Sequence, residues 1–172
     1  MKPKKGLAFV LMDMQMRNGS ATDKREIIPH QVAVLRTCRH LHIPVIIVEF
    51  VGRGTTNRKL IDAVSGYENV HLIEKKDWNA FNGTSLDETF DTLGIGSFLL
   101  GGVEAGVCLY ETAIDAIARG YQVTACGALT AGYGKRYSGP NRSDLWRSIG
   151  ASYVEHVGAA HRFLQENPHE DP

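Results

Sequence analysis

The sequence predicts an α/β fold, a mostly parallel sheet wound with helices on both of its faces. The first observation behind this is a series of short apolar runs, several of them continuous rather than alternating, of the kind that forms strands buried on both sides. The second is that stretches of helical periodicity separate those runs, and strands that alternate with helices pair in parallel. The third is size. A chain of 172 residues, 43% apolar and 22% charged, has ordinary globular composition. It is long enough to bury a sizeable core as one domain over 1–172, with a polar tail from 166.

Taken in order, residues 7–12 (Leu-Ala-Phe-Val-Leu-Met) form the first strand and deliver Asp13 to its C-terminal end. Residues 14–26 are polar and irregular. Pro29 suits the opening turn of a helix whose Val32, Leu35 and Leu41 face inward. Residues 44–50, β-branched and continuous, are the clearest strand. A stretch with Gly52, Gly54 and Gly66 follows, and a helical turn is expected over 60–64. The third strand covers 70–74 and brings Lys75 and Lys76 to its end. Thr84-Ser85-Leu86-Asp87 has the pattern of a capping box for a helix through Phe90 and Leu93, stopped by Gly94.

Residues 97–113 are the stretch around which the rest is organised. An apolar run breaks at Gly101-Gly102 and resumes as Val107, Tyr110, Ala113, Ile114 and Ile117, a helical spacing that ends at Gly120. Cys108 falls in the first turn of that helix. Free N–H groups and the positive end of the helix dipole favour an anion there, and so a thiolate at neutral pH. A fifth strand covers 121–126, and the glycine-rich segment 127–142, with Tyr133 and Tyr137, reads as a loop over a site. Ser143 caps a short helix through Leu145, Trp146 and Ile149. A sixth strand is expected at 153–157 and a last helix at 159–165.

Composition excludes several function classes. Nineteen Lys and Arg balance nineteen Asp and Glu, so net charge makes no case for nucleic acid or an anionic membrane surface. The apolar run behind the basic N-terminus is too short for a signal peptide or a membrane span. Three cysteines at no ligand spacing argue against a disulfide framework or a zinc knuckle, and a cytoplasmic location with reduced thiols is expected. Cys38 and Cys126 are most simply core residues. The histidines show no ligand spacing.

In open parallel sheets, sites lie beyond the carboxyl ends of strands, near the point where strand order reverses. Asp13, Lys75 and Cys108 occupy three such ends. A cation beside the thiol would lower its pKa, and a carboxylate could take the thiol proton and pass it to a leaving amine. Capping the chain after its strand is the alternative role for Asp13, and Lys76 is as basic as Lys75.

The motifs become specific when read together. They are Leu11-Met12-Asp13-Met14-Gln15, Lys75-x-x-Trp78-Asn79-Ala80-Phe81-Asn82-Gly83-Thr84, Gly102-Val103-x-x-x-Val107-Cys108, and Thr112-Ala113-x-Asp115-Ala116 with Gly120-Tyr121-x-Val123. In this order, over nearly the whole chain, the sequence resembles the isochorismatase-like cysteine hydrolases, the nicotinamidase, N-carbamoylsarcosine amidohydrolase and isochorismatase superfamily. The resemblance implies a six-stranded, doubly wound, Rossmann-like three-layer α/β/α fold. It implies an Asp13-Lys75-Cys108 triad, selecting Lys75 by its spacing to Trp78, and a cis peptide at Val103–Glu104. The N–H groups of Glu104 and Cys108 would form the oxyanion hole. Gln15, Trp78, Phe81 and Tyr133 are the candidate substrate-binding residues.

The implied activity is hydrolysis of a small non-peptide amide or ureido C–N bond through a thioester. The expected partners are a small amide-type substrate and water, with no cofactor, no nucleic acid, no membrane and a homo-oligomeric assembly. Metal-dependent nicotinamidases carry Asp-x-His after the second strand; here Glu49-Phe50-Val51-Gly52-Arg53-Gly54 stands there, so no metal site is expected. Other departures are Asn79 where serine is usual and Glu104 where a small or hydroxyl residue is usual. Glu104 would favour a neutral or cationic amide. The alternatives are vinyl-ether hydrolysis with Asp13 as acid, against which the cysteine argues, and a thiol sensor or interaction protein on the same scaffold.

Overall fold

A computed structural model describes residues 5–17, 24–132 and 141–167. Its sheet has six strands, all pairing in parallel: β1 (Gly6–Met12), β2 (Val45–Phe50), β3 (Val70–Lys75), β4 (Ile95–Gly102), β5 (Gln122–Thr130) and β6 (Ser152–Val154). The order across the sheet is β3-β2-β1-β4-β5-β6, so the chain winds one way from β1 and the other way from β4. The helices are α1 (Lys24–His40), α2 (Arg58–Ala63), α3 (Leu86–Thr92), α4 (Tyr110–Ala118), α5 (Asn141–Ser148) and α6 (Val157–Glu166). This is the doubly wound α/β architecture the sequence predicts.

Two apolar cores, one on each face, account for the continuous runs. Along β1, Ala8, Val10 and Met12 face the core under α3 and α4, while Leu7, Phe9 and Leu11 face the one under α1 and α6. Every residue of β1 is buried, as a central parallel strand requires. Among the described residues no helix is long and apolar enough to cross a membrane.

Several local expectations need correction. Helix α1 starts at Lys24, so Pro29 lies inside it rather than at its opening. Ile27 and Ile28 extend its buried face, and Gln31, fully buried, donates from its amide to the Leu129 carbonyl at 2.9 Å. The capping box does not form: Thr84 Oγ1 accepts from Leu86 N–H at 3.2 Å, but Asp87 accepts instead from the Tyr121 hydroxyl and pairs with Arg119. Strand β5 runs past Gly127 to Thr130, where a loop is expected. Gly127 is a packing requirement rather than a stop, since a Cβ there would lie 2.4 Å from the Tyr153 hydroxyl.

The largest departure follows β4. A π-helical turn, Ala105–Leu109, precedes α4. The i→i+5 turn takes in an extra residue and rotates the face that follows. Leu109, Thr112, Ala113 and Ala116 therefore point inward, while Val107 (36% exposed) and Ile114 (40%) face out.

Candidate active site

Strand order reverses between β1 and β4, and the residues just beyond those two strands build the site. Asp13 follows β1 with φ +57°, a left-handed conformation that aspartate tolerates better than most side chains. Such a backbone persists only where its surroundings hold it. Here the Asp13 N–H donates to Val48 O at 2.9 Å. Gly102, ending β4 with φ +124°, lies so close to β1 that a Cβ would sit 2.0 Å from Met12 O. Only glycine permits that approach.

Lys75, the last residue of β3, reaches across to the same point. Its Nζ lies 2.8 Å from Asp13 Oδ2, with the two side chains 0% and 1% exposed. The ammonium also donates to the Trp78 carbonyl at 3.0 Å and lies 5.4 Å from the centre of the Phe50 ring. Lys76, by contrast, is exposed. Cys108 shares hydrogen bonding with the Asp13 carboxyl and the Lys75 ammonium. The three side chains singled out in the sequence thus come together, Asp13 and Cys108 at the floor of one pocket and Lys75 buried behind them. The pocket, about 190 Å³, is lined by Asp13, Phe50, Arg53, Trp78, Glu104, Val107 and Cys108.

Electrostatics at this floor differ from the expectation in one respect. Burial pushes the Cys108 thiol up to about 11; the neighbouring Asp13 adds to this, and Lys75 opposes it. Burial and Asp13 together thus favour the thiol form over the thiolate that its position in the chain suggests. Burial likewise raises the Asp13 carboxyl, against the pull of Lys75 and Arg53. A carboxylate with a raised pKa hydrogen-bonded to a thiol is poised to accept its proton as the sulfur attacks.

The peptide bond Val103–Glu104 is cis. In the π turn the Glu104 carbonyl accepts from the N–H groups of both Val107 and Leu109, each at 3.1 Å, and the Cys108 N–H between them takes no part in that pair. The turn is held to β5 by Ala105 N–H donating to Ala131 O at 2.9 Å.

The other predicted residues divide. Trp78, 61% exposed, lines the pocket. Gln15 does not: its amide donates to the carbonyls of Phe50 and Gly54 and its Oε1 accepts from Phe50 N–H at 2.7 Å, so it fastens the β2 exit to β1. Phe81 belongs to the core, stacked on Tyr121 and edge-on to Phe90. Tyr133 and Tyr137 lie outside the described residues. Asn79 donates to Asp115 Oδ2 at 2.7 Å and accepts from Phe81 N–H at 3.0 Å, tying the loop that carries the Trp78 carbonyl to α4. Phe50 and Arg53 were missed as lining residues. The glycines flanking Arg53 hid them, although the C-terminal exit of a buried strand is the place to look.

Comparison with known proteins accords with this geometry. Nicotinamidase 3 of Arabidopsis thaliana is 23% identical over 137 residues, 67% of this chain and 68% of the relative. An isochorismatase-like hydrolase from Alkaliphilus metalliredigens superposes with a TM-score of 0.80 at 21% identity, over 92% of this chain and 98% of that one. N-carbamoylsarcosine amidase from Thermoplasma acidophilum gives 0.73 at 24% identity, over 87% and 96% of the two chains. These superpositions establish the common fold. The sequence profile of the isochorismatase domain matches residues 7–138, and the chain belongs to the isochorismatase family.

Proposed function

We propose that the protein is a cysteine amidohydrolase that cleaves a small non-peptide amide or ureido C–N bond through a thioester on Cys108. The observation that carries this reading is the buried Asp13–Lys75 pair at 2.8 Å, sharing hydrogen bonding with the Cys108 thiol on the floor of a pocket. Kinship with a nicotinamidase and an N-carbamoylsarcosine amidase supports the same bond class.

In this mechanism the substrate carbonyl oxygen points at the backbone N–H groups of Glu104 and Cys108. As sulfur attacks the carbonyl carbon, the thiol proton passes to Asp13 and the carbonyl π electrons move onto oxygen, where the two N–H groups hold the developing charge. Asp13 then returns its proton to the substrate nitrogen. The C–N bond breaks, and ammonia or an amine leaves behind a thioester. Water attacks that thioester while Asp13 takes a proton from it. The C–S bond breaks, sulfur recovers the proton, and the carboxylic or carbamic acid departs. Lys75 keeps the deprotonated Asp13 tolerable in a buried site throughout.

The substrate is small, and water is the second reactant. Assembly as a homo-oligomer belongs to the same proposal, with the exposed Trp78, Val107 and Ile114 as apolar surface available for it; sedimentation velocity checks it. The activity is tested by ammonia release from a panel of small amides and ureides. Turnover that disappears in Cys108→Ala supports the reading. A protein that turns over none of them, with Cys108 modified only by oxidants, is a thiol sensor instead.

A further inference from the structure

The motif Thr112-Ala113-x-Asp115 has no step in the reaction proposed above, yet two of its side chains grip the loop that follows β3. Thr112 is fully buried, and its Oγ1 accepts from the Ala80 N–H at 2.9 Å. Asp115 Oδ2 accepts from the Asn79 side-chain amide at 2.7 Å, and Arg119 Nε holds the other oxygen of that carboxylate at 2.8 Å. The Arg119 guanidinium in turn lies 4.8 Å from the centre of the Phe81 ring. Residues 79–81 are thereby bound to the α4 region at consecutive positions. Thr112 holds them from the buried side, and the half-buried Asp115 with the exposed Arg119 from the outer side.

That loop carries a group on which the site depends. Trp78, immediately before the gripped residues, accepts at its carbonyl from Lys75 Nζ at 3.0 Å. An ammonium has three donors. Those of Lys75 serve Asp13, at 2.8 Å, the Cys108 sulfur and this carbonyl, so each partner limits the direction left for the other two. Thr112 stands four residues beyond Cys108 on the same run of helical turns, and both are buried. The nucleophile and the clamp that places the neighbouring cation thus belong to one stretch of chain.

Resting on the hydrolase reading above for its part in turnover, we infer that Thr112 is a positioning residue: its hydroxyl, through the Ala80 N–H and the Trp78 carbonyl, sets where the Lys75 ammonium stands against the Cys108 sulfur. Asp115 is the second hold on the same loop. Ala80 is fully buried, so its N–H has no water to turn to and depends on the threonine for a partner.

The consequence reaches the sulfur. The charged groups about it are Asp13 from the β1 exit, Lys75 from β3, and Glu104 and Arg53 in the pocket lining. Lys75 opposes the rise of the thiol. An ammonium released from the Trp78 carbonyl opposes it less, and thiolate becomes scarcer at any given pH. A merely structural threonine predicts the reverse, since loosened packing around a buried thiol exposes it and speeds its modification.

Iodoacetamide alkylation of Cys108 in the full-length protein, followed by peptide mass spectrometry across the pH range, separates the two. At about pH 8, Thr112→Val should react about three- to tenfold more slowly than the wild type, a shift of about half to one pH unit. Thr112→Ser keeps the hydroxyl and should stay within about twofold of the wild type. Asp115→Ala acts on the solvent side of the loop and should slow the reaction in the same direction. An unchanged or faster rate in Thr112→Val, or a Thr112→Ser as slow as Thr112→Val, overturns the inference. Should Thr112→Val not fold, an unchanged or faster rate in Asp115→Ala overturns it instead. In turnover, kcat should fall about tenfold in Thr112→Val and recover in Thr112→Ser. Alkylation rates that behave as expected in a protein whose wild type hydrolyses no amide uphold the placement of Lys75 by Thr112 and remove the reaction proposed for the site.

Discussion

Replacing Lys75 with methionine keeps most of the side-chain volume and deletes the ammonium that faces Asp13 at 2.8 Å. Both partners are out of water, so the remaining carboxylate becomes an uncompensated buried charge, a change that costs about 3–5 kcal/mol. Against a total stability of about 5–15 kcal/mol this is severe but survivable. The cost has a signature in pH. Burial already raises the Asp13 carboxyl, and Lys75 is the largest influence acting the other way. Its loss raises the carboxyl further. A carboxyl whose pKa is higher folded than unfolded binds its proton more tightly when folded. Its contribution is full below the unfolded pKa and is lost as pH rises through the folded one.

The deficit of Lys75→Met should therefore be small at about pH 5 and grow by about 1.4 kcal/mol per pH unit until the variant's carboxyl ionises or the chain unfolds. Urea titrations read by tryptophan fluorescence at about pH 5 and about pH 8 measure it. The double variant Asp13→Asn/Lys75→Met removes both charges and should recover at least about 2 kcal/mol at the higher pH. A deficit of equal size at both pH values, or an Asp13→Asn change that adds to the loss, would refute the buried-pair argument.

Other outcomes follow from the same geometry. Asp13→Asn should cut amide turnover by about 10²–10⁴-fold, yet alkylation of Cys108 at neutral pH should become faster, because the carboxylate that helps hold the thiol near 11 is gone; peptide mass spectrometry reads both sides. In the wild type, Cys108 alkylation should keep rising with pH through about pH 9 rather than level off in mild acid. Gly102→Ala should cost about 3 kcal/mol or more in a urea titration, since a Cβ meets Met12 O at 2.0 Å and φ is +124°. Asn79→Ala breaks the tie to Asp115 and should cost about 1–2 kcal/mol while lowering kcat through the displaced Trp78 carbonyl; rescue by Asn79→Ser but not by Asn79→Val would separate hydrogen bonding from packing.

Much of this was legible in the chain because burial on both faces writes an unambiguous code. Residues 7–12 and 44–50 are continuous apolar runs, and both are central strands. The three site residues were legible because Asp13 directly follows a strand, Lys75 ends one and Cys108 sits in the turn beyond another, and the sheet itself gathers them. Reading failed where the backbone departs from regular repeat. The π turn at Ala105–Leu109 rotates α4, so Val107 and Ile114, which a straight 3.6-residue spacing groups with Ala113, are exposed while Ala113 is buried. Gly127 looked like punctuation because nothing local reveals the Tyr153 hydroxyl and Glu155 carbonyl that crowd a side chain there.

Charge states and polar anchors were hidden for the same reason. Gln15 and Phe81 belong to motifs around the site, but only three dimensions show the carbonyls and rings that occupy them. The upward shift of the Cys108 thiol comes from burial and from a carboxylate 95 positions away, which its place near a helix start does not report.

The account stands on covalent chemistry at one sulfur, and intact-protein mass spectrometry tests it directly. Acid-quenching the enzyme during turnover of a small amide or ureide should trap one acyl group, mapped by proteolysis to the peptide holding Cys108, with ammonia or amine released in step with it. Hydrolysis that continues in Cys108→Ala, or an adduct that maps to Cys38 or Cys126, contradicts the account.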